Sequence, residues 1–180
     1  MQFFLIRHPR PLLEAAICYG RLEVDTAEAE PVAARLRCLL PAATPLVSSP
    51  LLRARRLAER LHAQPIYDQR LQEIDFGAWE GQAWTAIDRF SLDAWAADLL
   101  HFVPPGGESV AQLQARALAC AAGQSGEAVA FVTHSGVLRA LLGHWLQLPA
   151  SAWSQLQFDF GSLTQVEVGA SGATLRYMNL

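Results

Sequence analysis

Two short stretches of this chain are apolar at almost every position: Phe3-Phe4-Leu5-Ile6 and Ala128-Val129-Ala130-Phe131-Val132-Thr133. A strand with no polar face has to be covered on both sides, the condition of a central strand in a parallel sheet flanked by helices. Such a strand delivers whatever follows it to the carboxyl edge of the sheet, where open α/β folds place their ligands. After the first run come Arg7-His8-Pro9, and after the second His134-Ser135-Gly136. A histidine therefore leaves each buried strand at the same kind of edge.

The rest of the chain supplies helices and shorter strands for such a sheet. Pro9-Arg10-Pro11 forbids an immediate helix and forces a loop, which continues through Cys18-Tyr19-Gly20-Arg21. A helix is expected from Pro31 to about Leu40, carried by Val32, Leu36, Leu39 and Leu40. Leu46-Val47-Ser48 reads as a strand, and Ser49-Pro50 as the N-cap and first residue of the next helix. Arg53 falls in that helix's first turn, where a cation is unfavourable unless something negative offsets it. Arg55, Arg56 and Arg60 read as solvated surface.

Pro65-Ile66-Tyr67 is a brief strand, followed by a loop with two glycines, two aromatics and the carboxylates Glu73, Asp75 and Glu80. A helix is expected from near Trp84, with Ile87, Phe90, Leu92, Trp95 and Leu99, until Pro104-Pro105-Gly106-Gly107 breaks it. Ser109 and Gln112 have capping-box spacing and open a helix to about Ala122. Glu108, just before, suits the positive end of that helix. A helix from about Val137 through Leu146 and a terminal hairpin, 163–168 with 173–178, complete the expectation. The fold class is α/β, a single domain over 1–180 with three layers, α/β/α, and a mainly parallel central sheet.

Composition narrows the function. With 180 residues, 52% apolar and 17% charged, the chain has enough material for a sizeable core. A net charge of −3 gives no footprint for nucleic acid or an anionic membrane, so any positive patch is local and suits a small anion. Cys18, Cys38 and Cys120 are odd in number and widely spaced, neither a disulfide framework nor a zinc motif. With no secretory leader or membrane-length apolar run, the reading is a cytoplasmic protein without metal or cofactor. His62, His101 and His144 are taken as structural.

Arginine binds a phosphoryl group through a planar fork of donors, so Arg7 and Arg53 can share its oxygens. A neutral imidazole is a competent nucleophile toward phosphorus, and a second imidazole can offset the anion's charge. An alkoxide leaving group needs a proton, and the carboxyl of Glu73, flanked by Leu71, Ile74 and Phe76, is the candidate donor. Asp75 and Glu80 read instead as acceptors that hold the loop.

Leu5-Ile6-Arg7-His8, Ser49-Pro50-Leu51-Leu52-Arg53-Ala54, Glu73-Ile74-Asp75-Phe76-Gly77-Ala78-Trp79-Glu80-Gly81 and Val132-Thr133-His134-Ser135-Gly136-Val137 occur in the order of the histidine phosphatase superfamily, the phosphoglycerate mutase-like fold. The chain resembles that family from about residue 2 to 149. The resemblance implies His8 as the phosphorylated nucleophile, Arg7, Arg53 and His134 as the phosphate pocket, and Glu73 as acid and then base. Tyr19, Arg21, Glu108 and Ser135 are candidate contacts to a small phosphomonoester substrate, and Arg10, which departs from the family, either joins them or points to solvent. Tyr19-Gly20-Arg21, Phe76 to Gly81 and Pro105 to Ser109 look most like the alpha-ribazole phosphatase branch.

Pro9-Arg10-Pro11 stands where the family has Gly, an acidic residue and Thr, so the phosphate contacts made there are replaced or lost. Residues 26–31 also lack the family's usual helix entry. Three rival readings share the pocket: a phosphoglycerate mutase-type transferase, a phosphoprotein phosphatase and a non-catalytic phospholigand binder. Mutases of this fold are longer, and a binder has no use for His8, His134 and Glu73 together.

Overall fold

Both apolar runs are strands, and they are neighbours. The computed structural model describes residues 1–180. Its elements are β1 (Gln2–Arg7), α1 (Ala29–Arg37), β2 (Leu46–Ser48), α2 (Leu52–Leu61), β3 (Ile66–Tyr67), α3 (Arg89–Ala97), α4 (Val110–Ala122), β4 (Ala128–Thr133), α5 (Ser135–Trp145), α6 (Ala150–Trp153), β5 (Leu163–Gly169) and β6 (Gly172–Tyr177). One sheet holds all six strands in the order β3-β2-β4-β1-β5-β6. The pairings of β3, β2, β4 and β1 are parallel, and β5 and β6 add an antiparallel edge.

Successive side chains of a strand point to opposite faces, so an all-apolar strand feeds two cores at once. Phe3, Leu5, Val129 and Phe131 face one side and pack with Leu113, Ala117, Leu138 and Leu141 of α4 and α5. Phe4, Ile6, Ala130 and Val132 face the other and pack with Ala33 and Leu36 of α1 and Leu57 of α2. The result is the expected three-layer α/β/α arrangement. Each fully buried Leu or Phe contributes about 1.5–3 kcal/mol relative to exposure, so both faces anchor the central strands.

Several boundaries move. The first helix starts at Ala29, before Pro31, and ends at Arg37. Proline is tolerated there because first-turn amides have no intrahelical partner. Ser49 does not cap α2: Leu51 holds that position in extended conformation, and the Ser49 hydroxyl is engaged elsewhere, as described below. No α-helix begins at Trp84. Residues Trp84–Ala86 make one 3-10 turn, Ile87 is extended into the core beside Trp79, and Asp88 caps α3 by accepting from Ser91 N at 2.8 Å. The helix after β4 starts at Ser135, two residues early, with His134 as its N-cap. The short α6 was not anticipated from the sequence. The Ser109–Gln112 capping box is present, with bonds of 2.8 and 3.2 Å. All three cysteines are free. No helix is long and apolar enough to cross a membrane.

Candidate active site

The parallel register fixes the centre of the site. Arg7 stands opposite Thr133 across β1 and β4, so the next residues leave the sheet side by side. His8 and His134 have ring centroids 5.0 Å apart and are 2% and 0% exposed. His8 Nδ1 lies 2.6 Å from the Pro9 carbonyl oxygen. A carbonyl only accepts, so Nδ1 carries the proton and the lone pair sits on Nε2. His134 is held the other way round. Its Nδ1 accepts from Arg53 Nε at 3.2 Å, which leaves the proton on Nε2, donating to Ser49 Oγ at 2.8 Å. Burial pushes both imidazole pKa values well below 6.5, and the Arg53 charge pushes the same way. Two neutral rings result, and His8 has its Nε2 unprotonated.

Arg53 is fully buried in the first turn of α2. Besides His134, its fork donates to the carbonyls of Leu22, at 2.9 Å, and Gly20. Those carbonyl dipoles account for a cation at a helix N-terminus even before an anion is considered. Three of its five donor hydrogens are thereby used, leaving one on each terminal nitrogen. Arg7 stacks with its guanidinium carbon 3.6 Å from the centroid of Phe160 and donates through Nη1 to the Phe158 carbonyl at 2.5 Å. Its Nε is buried without a partner. A buried donor left unpaired costs about 1–3 kcal/mol and calls for an acceptor. The Tyr19 ring lies 5.4 Å from the Arg53 guanidinium carbon. Burial raises its phenol pKa, while the Arg7 and Arg53 charges pull it back.

Glu73 reaches the same edge from the loop after β3, with 8% exposure. Its Oε2 accepts from Gly136 N at 3.0 Å and its Oε1 from Ile74 N at 3.1 Å. Gly136 is the close approach that permits this, because a Cβ there would stand 2.3 Å from Glu73 Oε1. Gly136→Ala keeps a helix-compatible backbone but displaces the carboxyl, and misplacement by about 1 Å can cost about a hundredfold in rate. The expected outcome is that loss in kcat with little change in thermal unfolding; wild-type kcat would show that Glu73's position is immaterial.

Arg21 and Glu108 meet each other, at 3.2 Å, in a network that holds the Glu73 loop. Arg21 also pairs with Asp75 at 3.3 Å, and Glu108 accepts from Asp75 N at 3.1 Å and from Arg116 Nε at 3.0 Å. Arg116 donates to the carbonyls of Arg70, Gln72 and Glu73 at 2.7 to 3.0 Å. Glu80 accepts from the backbone amides of Arg21, Leu22 and Phe76, and Asp75 from Gly77 N. Both loop carboxylates therefore act as acceptors. Gly77, at φ +55, lies against residues 105–107, where any Cβ would collide with the Pro105 carbonyl. Arg10 is exposed over Phe160, and Ser135 is half-buried at the start of α5.

Sequence reasoning missed Ser49, Gly136, Arg116 and Phe160. Gly136 carried a signal, since a glycine at a helix start right after His134 marks a close approach. Ser49 carried one too, but its cap role was the simpler reading. Nothing local marked Arg116 or Phe160.

Comparison with known proteins agrees with this geometry. The histidine phosphatase superfamily (branch 1) matches residues 3–180. The adenosylcobalamin/alpha-ribazole phosphatase of Escherichia coli is 28% identical over 116 residues, 61% of this chain and 57% of that protein. A Mycobacterium tuberculosis protein described as bifunctional is 31% identical over 140 residues, 72% of this chain and 38% of its own length. The matched region thus spans about half or less of these relatives. An Escherichia coli crystal structure described as an alpha-ribazole-5′-phosphate phosphatase superposes with a TM-score of 0.86 at 27% identity, covering 100% of this chain and 96% of the other. Members of this family are phosphatases or mutases. The chain belongs to the histidine phosphatase superfamily.

Proposed function

We propose that the chain is a phosphomonoesterase that works through a phosphohistidine on His8. The observation that carries this reading is the tautomer pair: His8 presents a bare Nε2, while His134 keeps a proton on its own Nε2. His8 Nε2 attacks phosphorus, the P–O bond to the leaving alcohol breaks, and Glu73 gives that oxygen its proton. Arg7 and Arg53 hold the non-bridging oxygens, and His134 Nε2–H becomes a further donor by exchanging Ser49 Oγ for a phosphoryl oxygen. Arg7 Nε, unpaired and buried, gains an acceptor when phosphate binds. In the second half Glu73 takes a proton from water, whose oxygen attacks phosphorus as the N–P bond breaks. No step needs a metal.

The substrate class is a small sugar- or nucleoside-type phosphate such as alpha-ribazole 5′-phosphate, the substrate in the names of the relatives above. A cavity of about 320 Å³ supports this choice. It runs from Gly136, the residue that holds Glu73, past Phe76, Trp84, Trp95 and Trp153. A flat apolar base on the leaving alcohol has aromatic walls to meet there.

The test is leaving-group dependence in Glu73→Gln. For a sugar phosphate, whose alkoxide leaves poorly, single-turnover phosphoryl transfer should slow by at least about a hundredfold. For a nitrophenyl phosphate the transfer step should change little, and a burst should show that dephosphorylation has become limiting. Equal losses on both substrates without a burst would remove Glu73 from the acid role.

A further inference from the structure

All fourteen cationic residues of this chain are arginines. Nine of them have a carboxylate oxygen within 4.0 Å. The other five are Arg7, Arg10, Arg35, Arg53 and Arg139. Arg35 donates to the Gly161 carbonyl at 2.7 Å, and Arg53 is committed to His134 and the 20–22 loop. The remaining three, Arg7, Arg10 and Arg139, line one cavity of about 640 Å³.

Their donors are largely unspent. Arg7 uses Nη1 on the Phe158 carbonyl, and with Nε assigned above to the reacting phosphate its remaining nitrogen is Nη2. Arg139 uses Nε on the Leu156 carbonyl at 2.9 Å, and its terminal nitrogens have no hydrogen-bond partner. Arg10 makes no side-chain hydrogen bond. Its guanidinium carbon lies 5.1 Å from the centroid of Phe160, the ring that also carries Arg7. The Arg139 charge is near enough to act on Arg7. Glu28 and Asp159 line the same cavity, but both are exposed and neither approaches a guanidinium nitrogen within salt-bridge distance. Glu73 offsets the charge of Arg7, but Arg10 and Arg139 have no carboxylate partner, so an anion arriving in this cavity relieves the repulsion among the three.

The cavity also lies in line with the chemistry. Arg7 belongs to both places, and His8 packs against Phe160 at 5.6 Å between centroids. Arg139 follows Gly136 at the i,i+3 spacing, which sets both on one face of α5. Glu73, which accepts from Gly136 N, thus sits on the helix face that also carries Arg139. That residue also borders the aromatic cavity, so an apolar group and a charged one on the same alcohol can be accommodated together.

We propose that Arg10 and Arg139, with the free edge of Arg7, form a second anion subsite, and that within the sugar- and nucleoside-phosphate class the preferred substrates are those whose leaving alcohol bears a second carboxylate or phosphate, which alpha-ribazole 5′-phosphate lacks. This rests on the phosphatase reading above. The subsite takes the place of whatever contacts Pro9-Arg10-Pro11 removed, since Arg10 puts a cation where the family has an acid.

The test uses matched pairs on the full chain. Glycerol 3-phosphate and 3-phosphoglycerate differ by a carboxylate; fructose 6-phosphate and fructose 1,6-bisphosphate differ by a phosphate. Inhibition constants against nitrophenyl phosphate hydrolysis should favour the doubly anionic member by about tenfold or more, the scale of one or two charge-assisted hydrogen bonds. A preference in one pair only supports the subsite and identifies its anion. Arg10→Gln and Arg139→Gln should each bring the ratio toward one, and Arg10, exposed and without hydrogen bonds, is replaced without risk to folding. A wild-type ratio near one in both pairs, or a ratio that neither variant changes, overturns the subsite. If nitrophenyl phosphate is not hydrolysed, the phosphatase reading is at fault, and calorimetric titration of the same compounds decides the subsite by the same ratios.

Discussion

The His8→Ala protein is expected to form no phosphoenzyme and to lose turnover by up to about a millionfold, the scale seen when a covalent nucleophile is removed. In rapid quench with labelled substrate, the wild type should yield an acid-labile, base-stable adduct, formed undiminished in excess chelator. The reason is geometric. The Pro9 carbonyl holds the Nδ1 proton, so Nε2 is the only ring nitrogen with a lone pair to offer. A base-stable adduct persisting in His8→Ala would move the nucleophile to another residue. The burial that keeps this ring neutral also has a pH consequence. The folded pKa values of His8 and His134 lie below the unfolded value, so the unfolded chain takes up protons that the folded one refuses. Stability is then full above about pH 6.5 and falls as pH drops below it. Urea midpoints measured across that range should show the slope, and His8→Ala should lose part of it.

Arg53→Lys should be the second most damaging change, and it should damage two properties at once. Lysine keeps the charge but concentrates its donors on one nitrogen, which cannot span His134 Nδ1 and the carbonyls of Gly20 and Leu22 together. Each buried acceptor left without a donor costs about 1–3 kcal/mol. Losing one preorganised contact to the phosphoryl oxygens costs about a hundredfold or more in kcat. The unfolding midpoint and kcat should therefore fall together. Saturating inorganic phosphate should recover some of the midpoint in the wild type's manner but not the rate. Full activity in Arg53→Lys would show that the planar fork has no part in the reaction.

The sheet was legible because β1 and β4 are apolar on both faces, and that pattern has one solution in a helix-covered sheet. From it the neighbouring positions of His8 and His134 follow almost automatically, since both histidines come one residue after strand end. Arg53 was legible as an anomaly, a cation where a helix repels one. What could not be read is how it is held. The carbonyls of Gly20 and Leu22 come from an irregular loop with no periodicity, 33 and 31 residues away in sequence, and backbone acceptors leave no trace in residue identity. Ser49 misled for a related reason: a serine before proline fits a cap, and only the proximity of His134 assigns its hydroxyl otherwise. The helix placed at Trp84 failed because Asp88 is the stronger N-cap and Ile87 is needed in the core beside Trp79. Arg116, a helix residue, organises the Glu73 loop through three carbonyls and Glu108.

The pairing of β1 has a bearing on how the protein is made. Residues 2–7 are bounded on one side by residues 128–133 and on the other by 163–167. While the chain is being synthesised, this apolar strand has no partner until most of the remainder has emerged. Loops of that length close slowly, and an unpaired apolar strand is the kind of segment that aggregates while it waits. The strand that leads into His8 is thus among the last to be sheltered, and the edge where the two histidines meet comes into being only when folding is nearly complete.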